Sequence, residues 1–217
     1  MLETNGAAAI LAEGSAADFR TSRQPIGFRD AAHRYRGCMA QLFLIRTTTE
    51  DDWERVRELR IENATDNPIS YGATSEFTLR MTESDWRLRA KRGDGPDSTS
   101  VAAIERVSGR WVGMMSAQHG DVDGVTPVLT GVYVSPDFRG RRHGIADALL
   151  EHVVDWAARR GSTLRLYVYE HAVPAMRFYS RQGFHPTGRY RPLQLLGDRR
   201  PGNQTMRLLE MSRALQP

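Results

Sequence analysis

The chain has 217 residues, of which 40% are hydrophobic and 26% are charged, and its formal net charge is +4 at pH 7. These values are typical of one globular domain with a sizeable core, and they exclude collagen-like, coiled-coil and disordered classes. The longest apolar runs, such as 7–12 and 42–45, are far shorter than the roughly 18 residues that cross a bilayer. A membrane span is therefore excluded. The basic residues are scattered, so nucleic-acid binding is not favoured.

The N-terminal segment 1–38 is rich in Ala, Gly, Ser and Arg and has neither helical nor strand periodicity. It lacks a basic start followed by a long apolar core, so it is not predicted to be a signal peptide. We expect 1–38 to be a flexible arm or the product of a start codon placed too early, and we expect the folded domain to occupy 39–217. The single cysteine, Cys38, cannot form an internal disulfide, which is typical of a cytoplasmic protein, and no metal site is predicted.

The first part of the domain is predicted to contain one strand, two helices and then three further strands. Thr48–Asp52 supplies an N-cap and acidic first-turn residues for a helix that carries Val56 and Leu59 on its inner side. The predicted elements are a strand at 40–46, this helix ending before Pro68, a loop at 69–79, a short helix from Thr82, and strands at 99–105, 111–117 and 128–135. The last three strands predict an antiparallel meander.

The most regular helical pattern in the chain lies at 144–160. Ile145, Leu149 and Val153 recur at helical spacing, and Gly161 is predicted to end the helix in a left-handed conformation. The elements predicted after it are a strand at 164–169, a helix at 174–182 ended by Gly183, and strands at 184–191 and 204–211.

A strand, a glycine-bearing turn and a helix follow one another from Val128 to Arg160. The amides at a helix N-terminus have no carbonyl partners within the helix and carry partial positive charge, so they favour an anion such as a pyrophosphate. Gly144 and Ala146 are small enough for a ligand to approach the backbone, and nearby Arg side chains add positive charge. The pattern is neither a P-loop nor the three-glycine dinucleotide fingerprint.

Two motifs give the chain a resemblance to a known superfamily. The run Arg141-Arg142-His143-Gly144-Ile145-Ala146 resembles the Arg/Gln-x-x-Gly-x-Gly/Ala signature of the GCN5-related N-acetyltransferases (GNAT). Further along, 175–184 resembles the family's Ala-x-x-x-Tyr-x-x-x-Gly-Phe segment, with Ala175, Tyr179 and Gly183 at the matching places. The likeness covers roughly 42–213 and is strongest to small, Arg-rich bacterial members.

The resemblance implies an α/β (α+β) fold. The expected GNAT fold is a central mixed, mostly antiparallel sheet of six to seven strands, splayed between strands four and five and flanked by about four helices.

Two positions depart from the family pattern. The usual spacing from the strand-ending Pro136 would start the signature at Arg139, whereas Gly144 and Ala146 fit only a start at Arg141, so we expect a longer loop. Before the second motif the family usually has Asn, and this chain has Ala172 there, with His171 beside it. Either cofactor affinity is weaker, or His171 substitutes for the Asn.

The resemblance also implies the cosubstrate and the residues that bind it. Acetyl-CoA is expected in the opening between the splayed strands, its pantetheine arm paired with backbone groups of Val132 and Val134 as though it were an added strand. A backbone amide near Val132 or Tyr133 is expected to polarise the thioester carbonyl, and Tyr179 to return a proton to the departing thiolate. The full set implied to bind the cosubstrate is Val132, Tyr133, Val134, Arg139, Arg141, Arg142, His143, Gly144, Ile145, Ala146 and Ala175.

The function predicted on this basis is transfer of an acetyl group from acetyl-CoA to a primary amine, by a cytoplasmic bacterial acyltransferase that is a monomer or a homodimer. The alternative is a CoA-binding sensor that has lost turnover. A third hypothesis, nucleic-acid binding, has no recognition motif. No general base is assigned among Glu76, Asp121 and Asp123, and His119, His143 and His171 are expected to be surface or structural residues.

The acceptor remains open among small amines, aminoglycoside-like antibiotics, amino acids and protein N-termini. The resemblance implies that its pocket is built by the loop 69–79 and the last hairpin, 190–204.

Overall fold

The structure is a computed structural model that describes residues 42–120, 125–198 and 206–216. The predicted N-terminal arm, Asp121, Asp123 and part of the last hairpin lie outside these ranges. Within them, the domain is built on one sheet of seven strands. The strands are β1 Phe43–Thr47, β2 Ser98–Glu105, β3 Trp111–Gln118, β4 Val128–Val134, β5 Thr163–Tyr169, β6 His185–Pro192 and β7 Arg207–Ala214.

The strand order across the sheet is β1-β2-β3-β4-β5-β7-β6. Every neighbouring pair is antiparallel except β4 and β5, which are parallel and are joined by a crossover helix. This confirms the predicted mixed, mostly antiparallel sheet and its meander. The last strand begins at Arg207 and continues to Ala214, later than predicted.

Six α-helices accompany the sheet in the described part of the chain, where about four were predicted. They are α1 Trp53–Asp66, α2 Pro68–Tyr71, α3 Ser75–Leu79, α4 Glu83–Ala90, α5 Ile145–Ala158 and α6 Val173–Arg181, with 3-10 turns at Glu50–Asp52, Lys91–Asp94 and Pro136–Phe138. The count was wrong because α2 and α3 occupy the stretch predicted to be a loop.

Side-chain caps explain these two short helices, which contain no apolar period. The Asn67 side chain accepts a hydrogen bond from the Ser70 amide at 3.0 Å, and Thr74 accepts one from the Phe77 amide at 3.1 Å. The predicted left-handed end of α5 at Gly161 was also wrong. Gly161 does not have a positive φ, and α5 ends at Ala158 with Arg159 in a right-handed conformation.

The two faces of the sheet carry separate cores, and β4 contributes to both by alternation. Val132 and Val134 pack into the larger core with α5 and α6, whereas Tyr133 packs on the opposite face with α1 and α4. Helix α1 begins after a 3-10 turn in which Thr49 and Asp52 form a capping box, and Asp52 also binds Arg46 of β1 at 2.7 Å.

Strands β4 and β5 separate soon after they meet. Their pairing consists of Val128 with Arg165 and Leu129 with Leu166. Immediately beyond, β4 bulges at Gly131, whose φ of +57° lies in the left-handed region, and the register with β3 shifts between Met114 and Ser116. This confirms the predicted splay between strands four and five.

Among the described residues, β6 forms one outer edge of the sheet and pairs with β7 alone. Nearly all of its residues are exposed, and it contains Pro186 near its start and Pro192 at its end. In the described ranges, no helix has the length and apolar character needed to cross a membrane.

Candidate active site

The turn between β4 and α5 is shaped by two glycines. Gly140 and Gly144 have φ values of +96° and +62°, which residues with a side chain rarely adopt. Gly144 is the N-cap of α5 and has no side chain to cap it, so the first amides of this helix face outward without a side-chain acceptor. The local geometry is therefore that of an anion-binding helix N-terminus.

The acidic residue in the first turn of α5 is turned toward α6. The side-chain amide of Gln182 donates to the Asp147 carboxylate, and Arg181 lies 3.6 Å from it. These contacts offset the negative charge of Asp147 at the start of α5. Ile145 and Ala146, which follow Gly144, are buried against the core.

The charged residues of the turn separate into two groups. Arg139 points toward α1, since its guanidinium donates to the Val134 carbonyl at 2.8 Å, pairs with Asp66 and stacks on the Tyr133 ring. The Arg141 and Arg142 side chains are exposed.

The His143 ring accepts a hydrogen bond from Arg142 at 2.9 Å. Burial and the adjacent Arg142 charge lower the pKa of His143, so the ring is neutral at pH 7. Among the predicted phosphate ligands, Arg139 has its charge engaged by the Asp66 carboxylate.

The backbone of β4 turns one side toward β3 and the other toward the gap. The Ser135 amide donates to the Val112 carbonyl of β3 at 2.8 Å, so by strand alternation Tyr133 also faces β3. Val132 and Val134 then direct their backbone groups toward the gap beside β5. The predicted pantetheine-binding residues Val132 and Val134 thus lie on the open edge, whereas the Tyr133 amide does not.

Tyr133 has its own role on the other face of the sheet. Its hydroxyl donates to Glu62 at 3.1 Å, and burial together with the Glu62 and Asp66 charges raises its pKa.

Tyr179 lies in α6 and is completely buried. Its ring contacts those of Phe178 and Phe184 edge-on, with centroids 5.2 and 5.7 Å away. The hydroxyl is buried and has no hydrogen-bond partner among the described residues, and burial raises its pKa well above the ordinary value for tyrosine. An unmet buried hydroxyl costs roughly 1–3 kcal/mol, so this group needs a partner that the described residues do not supply.

The start of α6 carries the second departure from the family pattern. Ala172 is the N-cap and provides no side-chain hydrogen bond, and Ala175 in the first turn is fully buried. His171 is exposed, with its ring edge-on against Tyr169 at 5.4 Å. Whether His171 replaces the usual Asn stays a prediction.

A pocket opens on the α1 and α4 face of the sheet, opposite Tyr179. It is lined by Val56, Arg60, Tyr71, Ala73, Arg89, Arg92, Ser100, Met114, Ser116, Thr130, Gly131 and Leu196. The loop 69–79 and the hairpin 190–204, which the family resemblance assigned to the acceptor pocket, contact each other in the wall of this pocket. The Thr74 amide donates to the Leu196 carbonyl, and the Leu196 amide donates to the Gly72 carbonyl, both at 2.9 Å.

Arg60 is the residue of this pocket that sequence reasoning missed. Its guanidinium is buried and donates to the Gly131 carbonyl at 2.6 Å, and burial lowers its pKa to about 10. The sequence did contain an indication that Arg60 is buried. Arg60 follows Val56 and Leu59 on the inner side of α1, where a charged residue interrupts the apolar stripe.

Two of the side chains considered in the sequence analysis, His119 and Glu76, are occupied elsewhere, whereas Asp121 and Asp123 lie outside the described residues. The His119 ring nitrogen Nδ1 forms a 2.8 Å hydrogen bond with the Val125 carbonyl, and the ring packs on Trp156. Glu76 is exposed and pairs with Arg80 at 3.1 Å. Neither lines the pocket.

Comparison with known proteins settles the family. The sequence pattern of the acetyltransferase (GNAT) family matches residues 53–184, more than half of the chain. The chain belongs to this family. As a GNAT acetyltransferase it is an acyltransferase, which confirms the activity predicted from the two motifs. A search of curated proteins finds no match.

Solved GNAT structures superpose over most of the domain. An acetyltransferase from Streptococcus pneumoniae is 15% identical, with a TM-score of 0.60 over 80% of this chain and 99% of its own. The ribosomal-protein-alanine N-acetyltransferase from Brucella melitensis is 19% identical, with a TM-score of 0.61 over 79% and 99%. The PaiA N-acetyltransferase from Thermoplasma acidophilum, in complex with coenzyme A, is 16% identical, with a TM-score of 0.57 over 79% and 98%. At these identities the likeness establishes the shared fold.

Proposed function

We propose that this GNAT acetyltransferase takes its acetyl group from acetyl-CoA and transfers it to a primary amine. The observation that carries the proposal is the open edge of β4, which leads at one end to the Gly144 turn and has a pocket on one face and Tyr179 on the other. A thioester held in that gap is accessible to both faces of the sheet.

The residues around the gap fit acetyl-CoA. The outward amides from Gly144 to Ala146 would hold the pyrophosphate, with added charge from Arg141 and Arg142. The backbone groups of Val132 and the Val134 amide would pair with the pantetheine arm, whereas the Val134 carbonyl already accepts from Arg139. The unmet hydroxyl of Tyr179 supports the same assignment, because a thiol sulfur would supply the missing partner.

The reaction is a direct acyl transfer. An unprotonated amine forms a bond from its nitrogen to the carbonyl carbon, the carbon–sulfur bond breaks, and the amine nitrogen releases one proton to solvent. The Val132 amide, on the open edge, would stabilise the negative charge that develops on the carbonyl oxygen. Tyr179 would donate its proton to the leaving sulfur, and a proton from solvent would then restore its hydroxyl. The products are an N-acetylated amine and free CoA thiol.

The proposal includes a bacterial, cytoplasmic enzyme without a nucleic-acid or membrane partner, active as a monomer or a homodimer. A single cysteine is typical of a reducing compartment. The domain 39–217 is proposed to fold without the first 38 residues.

The test is release of free thiol from acetyl-CoA in the presence of a panel of amines, run in parallel with Tyr179→Phe. We expect thiol release that depends on one class of amine and mass-spectrometric detection of the acetylated product. If the protein binds CoA tightly but no amine in the panel causes it to release thiol from acetyl-CoA, the result would instead support the CoA-binding sensor.

A further inference from the structure

Three arginines line the pocket on the α1 and α4 face: Arg60 from α1, Arg89 from α4 and Arg92 from the 3-10 turn that follows it. Burial, followed by the Arg89 charge, lowers the pKa of Arg92 to about 10, and the Arg89 and Arg92 charges contribute to the lowered pKa of Arg60. With a pKa of about 10, the Arg60 and Arg92 guanidinium groups remain protonated at pH 7. The pocket therefore concentrates positive charge in a small volume.

Arg60 is the least solvated of the three, with 6% of its surface exposed. Within the described part of the chain, its hydrogen-bond acceptor is the neutral carbonyl of Gly131, and no carboxylate forms an ion pair with it. Burying a cation without a counter-charge is costly, and buried charges in proteins are normally paired. The cost is offset when a ligand brings the negative charge.

Tyr71 provides a second, independent indication of a ligand. It lines the same pocket, is 9% exposed, and its hydroxyl is buried without a hydrogen-bond partner among the described residues. Tyr71 also lies close enough to Arg60 and Arg92 to interact with both electrostatically. An oxyanion bound by the arginines would accept a hydrogen bond from this hydroxyl.

The pocket also contains neutral polar groups. The Ser116 hydroxyl donates to the Ser100 hydroxyl at 3.0 Å, on the strands that form the pocket floor. Gly131 connects the pocket to the reaction site, because it lines the pocket and lies at the bulge where β4 leaves β5. A ligand anchored on the arginines would have its other end near the open edge of β4.

We infer that the acetyl acceptor is a small amine that carries a carboxylate or another oxyanion, which Arg60, Arg89, Arg92 and Tyr71 bind while the amine faces Gly131. The inference rests on the proposed acetyl transfer and specifies its substrate class. It favours a small molecule over a protein N-terminus, because the hydrogen-bonded segments at Thr74 and Leu196 close one wall of the pocket.

The experiment compares matched acceptors that differ only in the anion. Common amino acids, their α-carboxamides, 2-aminoethylphosphonate and short peptides are assayed by thiol release. We expect kcat/KM for at least one anionic acceptor to exceed that of its neutral analogue by about 100-fold, since loss of one partner leaves buried charges unpaired. A comparison of kcat/KM between 2-aminoethylphosphonate and the amino acids then identifies which oxyanion is preferred.

Variants of the pocket arginines test whether these side chains cause the preference for an anionic acceptor. Arg89→Gln and Arg92→Gln, at partly exposed positions, should lower the preference for the anionic acceptor by about 10- to 100-fold and leave CoA affinity unchanged. Arg60→Gln should have the larger effect if it folds. Arg57→Gln, an exposed position on the same helix α1, is the matched control and should have no effect. Equal rates with neutral and anionic acceptors, a preference for peptides, or an unaltered preference in both partly exposed variants would overturn the inference.

A binding measurement separates failure of this inference from failure of the proposed function. Glutarate and inorganic phosphate, titrated by calorimetry, should bind the wild-type chain and lose affinity in Arg92→Gln whether or not any amine is acetylated. Anion binding without turnover would contradict the proposed acetyl transfer alone. Amine acetylation without anion binding would contradict the anionic acceptor alone.

Discussion

The Arg60 guanidinium donates a 2.6 Å hydrogen bond to the Gly131 carbonyl, which connects helix α1 to the bulge of β4. This contact holds the bulge at the point where β4 leaves β5. It also places a buried cation beside the open edge, so the shape of the gap and the charge of the pocket depend on the same pair of residues.

A side chain at position 131 should disrupt this contact. A β-carbon there would lie 2.5 Å from Arg60 Nη2, and the φ of +57° is itself unfavourable for alanine. We expect Gly131→Ala to lower the free energy of unfolding by about 3 kcal/mol, from strain and overpacking together. Gly109→Ala is the matched control, since its φ is +69° and nothing lies within 4 Å, and it should cost only about 1 kcal/mol. Equal losses in urea denaturation would show that Arg60 does not constrain the bulge.

Tyr179→Phe tests the proposed proton donor. The substitution removes a hydroxyl without a partner and keeps the ring contacts with Phe178 and Phe184, so stability should not fall. If Tyr179 protonates the thiolate, kcat should drop by about 10² with CoA affinity retained. Tyr167→Phe is the contrasting variant, because the Tyr167 hydroxyl donates to buried Glu210 at 3.1 Å and its loss should cost about 1 kcal/mol of stability. Full turnover by Tyr179→Phe would leave the proton to another group.

A negative charge introduced at Gly144 should weaken CoA binding. Gly144→Ala and Gly144→Glu impose similar backbone strain at φ +62°, about 1 kcal/mol each, but only glutamate adds negative charge where the pyrophosphate is proposed to lie. Calorimetry with CoA should show a loss of about 100-fold or more for the glutamate variant relative to alanine. If the two variants bind CoA equally, the pyrophosphate does not lie at this turn.

Protonation of Asp52 should account for part of the stability that the folded domain loses at low pH. Its hydrogen bonds with Arg46, and then with Thr49, hold the pKa of this carboxyl below its usual value. Because the folded pKa is depressed, the contribution to stability is complete above the usual carboxyl pKa of about 4 and is lost as pH falls through the folded value. Asp52→Asn should therefore reduce stability by about 1 kcal/mol near pH 7 and by progressively less toward pH 2. A loss that stays constant across this range would exclude the ion pair as its cause.

A chain that starts at Met39 should fold and bind CoA as well as the full chain. The reason is that 1–38 offers no periodic apolar residues that could dock on the domain. Melting temperature and CoA affinity of the two forms are the measurements. A decrease of several degrees on shortening would mean that the segment contributes to the folded domain.

The elements that the sequence predicted best are those in which local and tertiary forces agree. Helix α5 has regularly spaced apolar residues, and those residues are the ones buried against the sheet. Helices α2 and α3 escaped prediction because single capping side chains, Asn67 and Thr74, form them without any period. The Arg60 pocket escaped for a different reason. Whether an arginine on an inner helix face finds a carboxylate depends on contacts between residues far apart in the chain, which spacing does not reveal.

The outer edge of the sheet at β6 bears on how copies of this chain meet in solution. An exposed strand is a template for pairing with another chain and hence for aggregation. Proline cannot donate a backbone hydrogen bond, and Pro186 and Pro192 lie near the two ends of β6. The strand therefore resists edge-to-edge polymerisation, and any dimer of this enzyme should form through another surface.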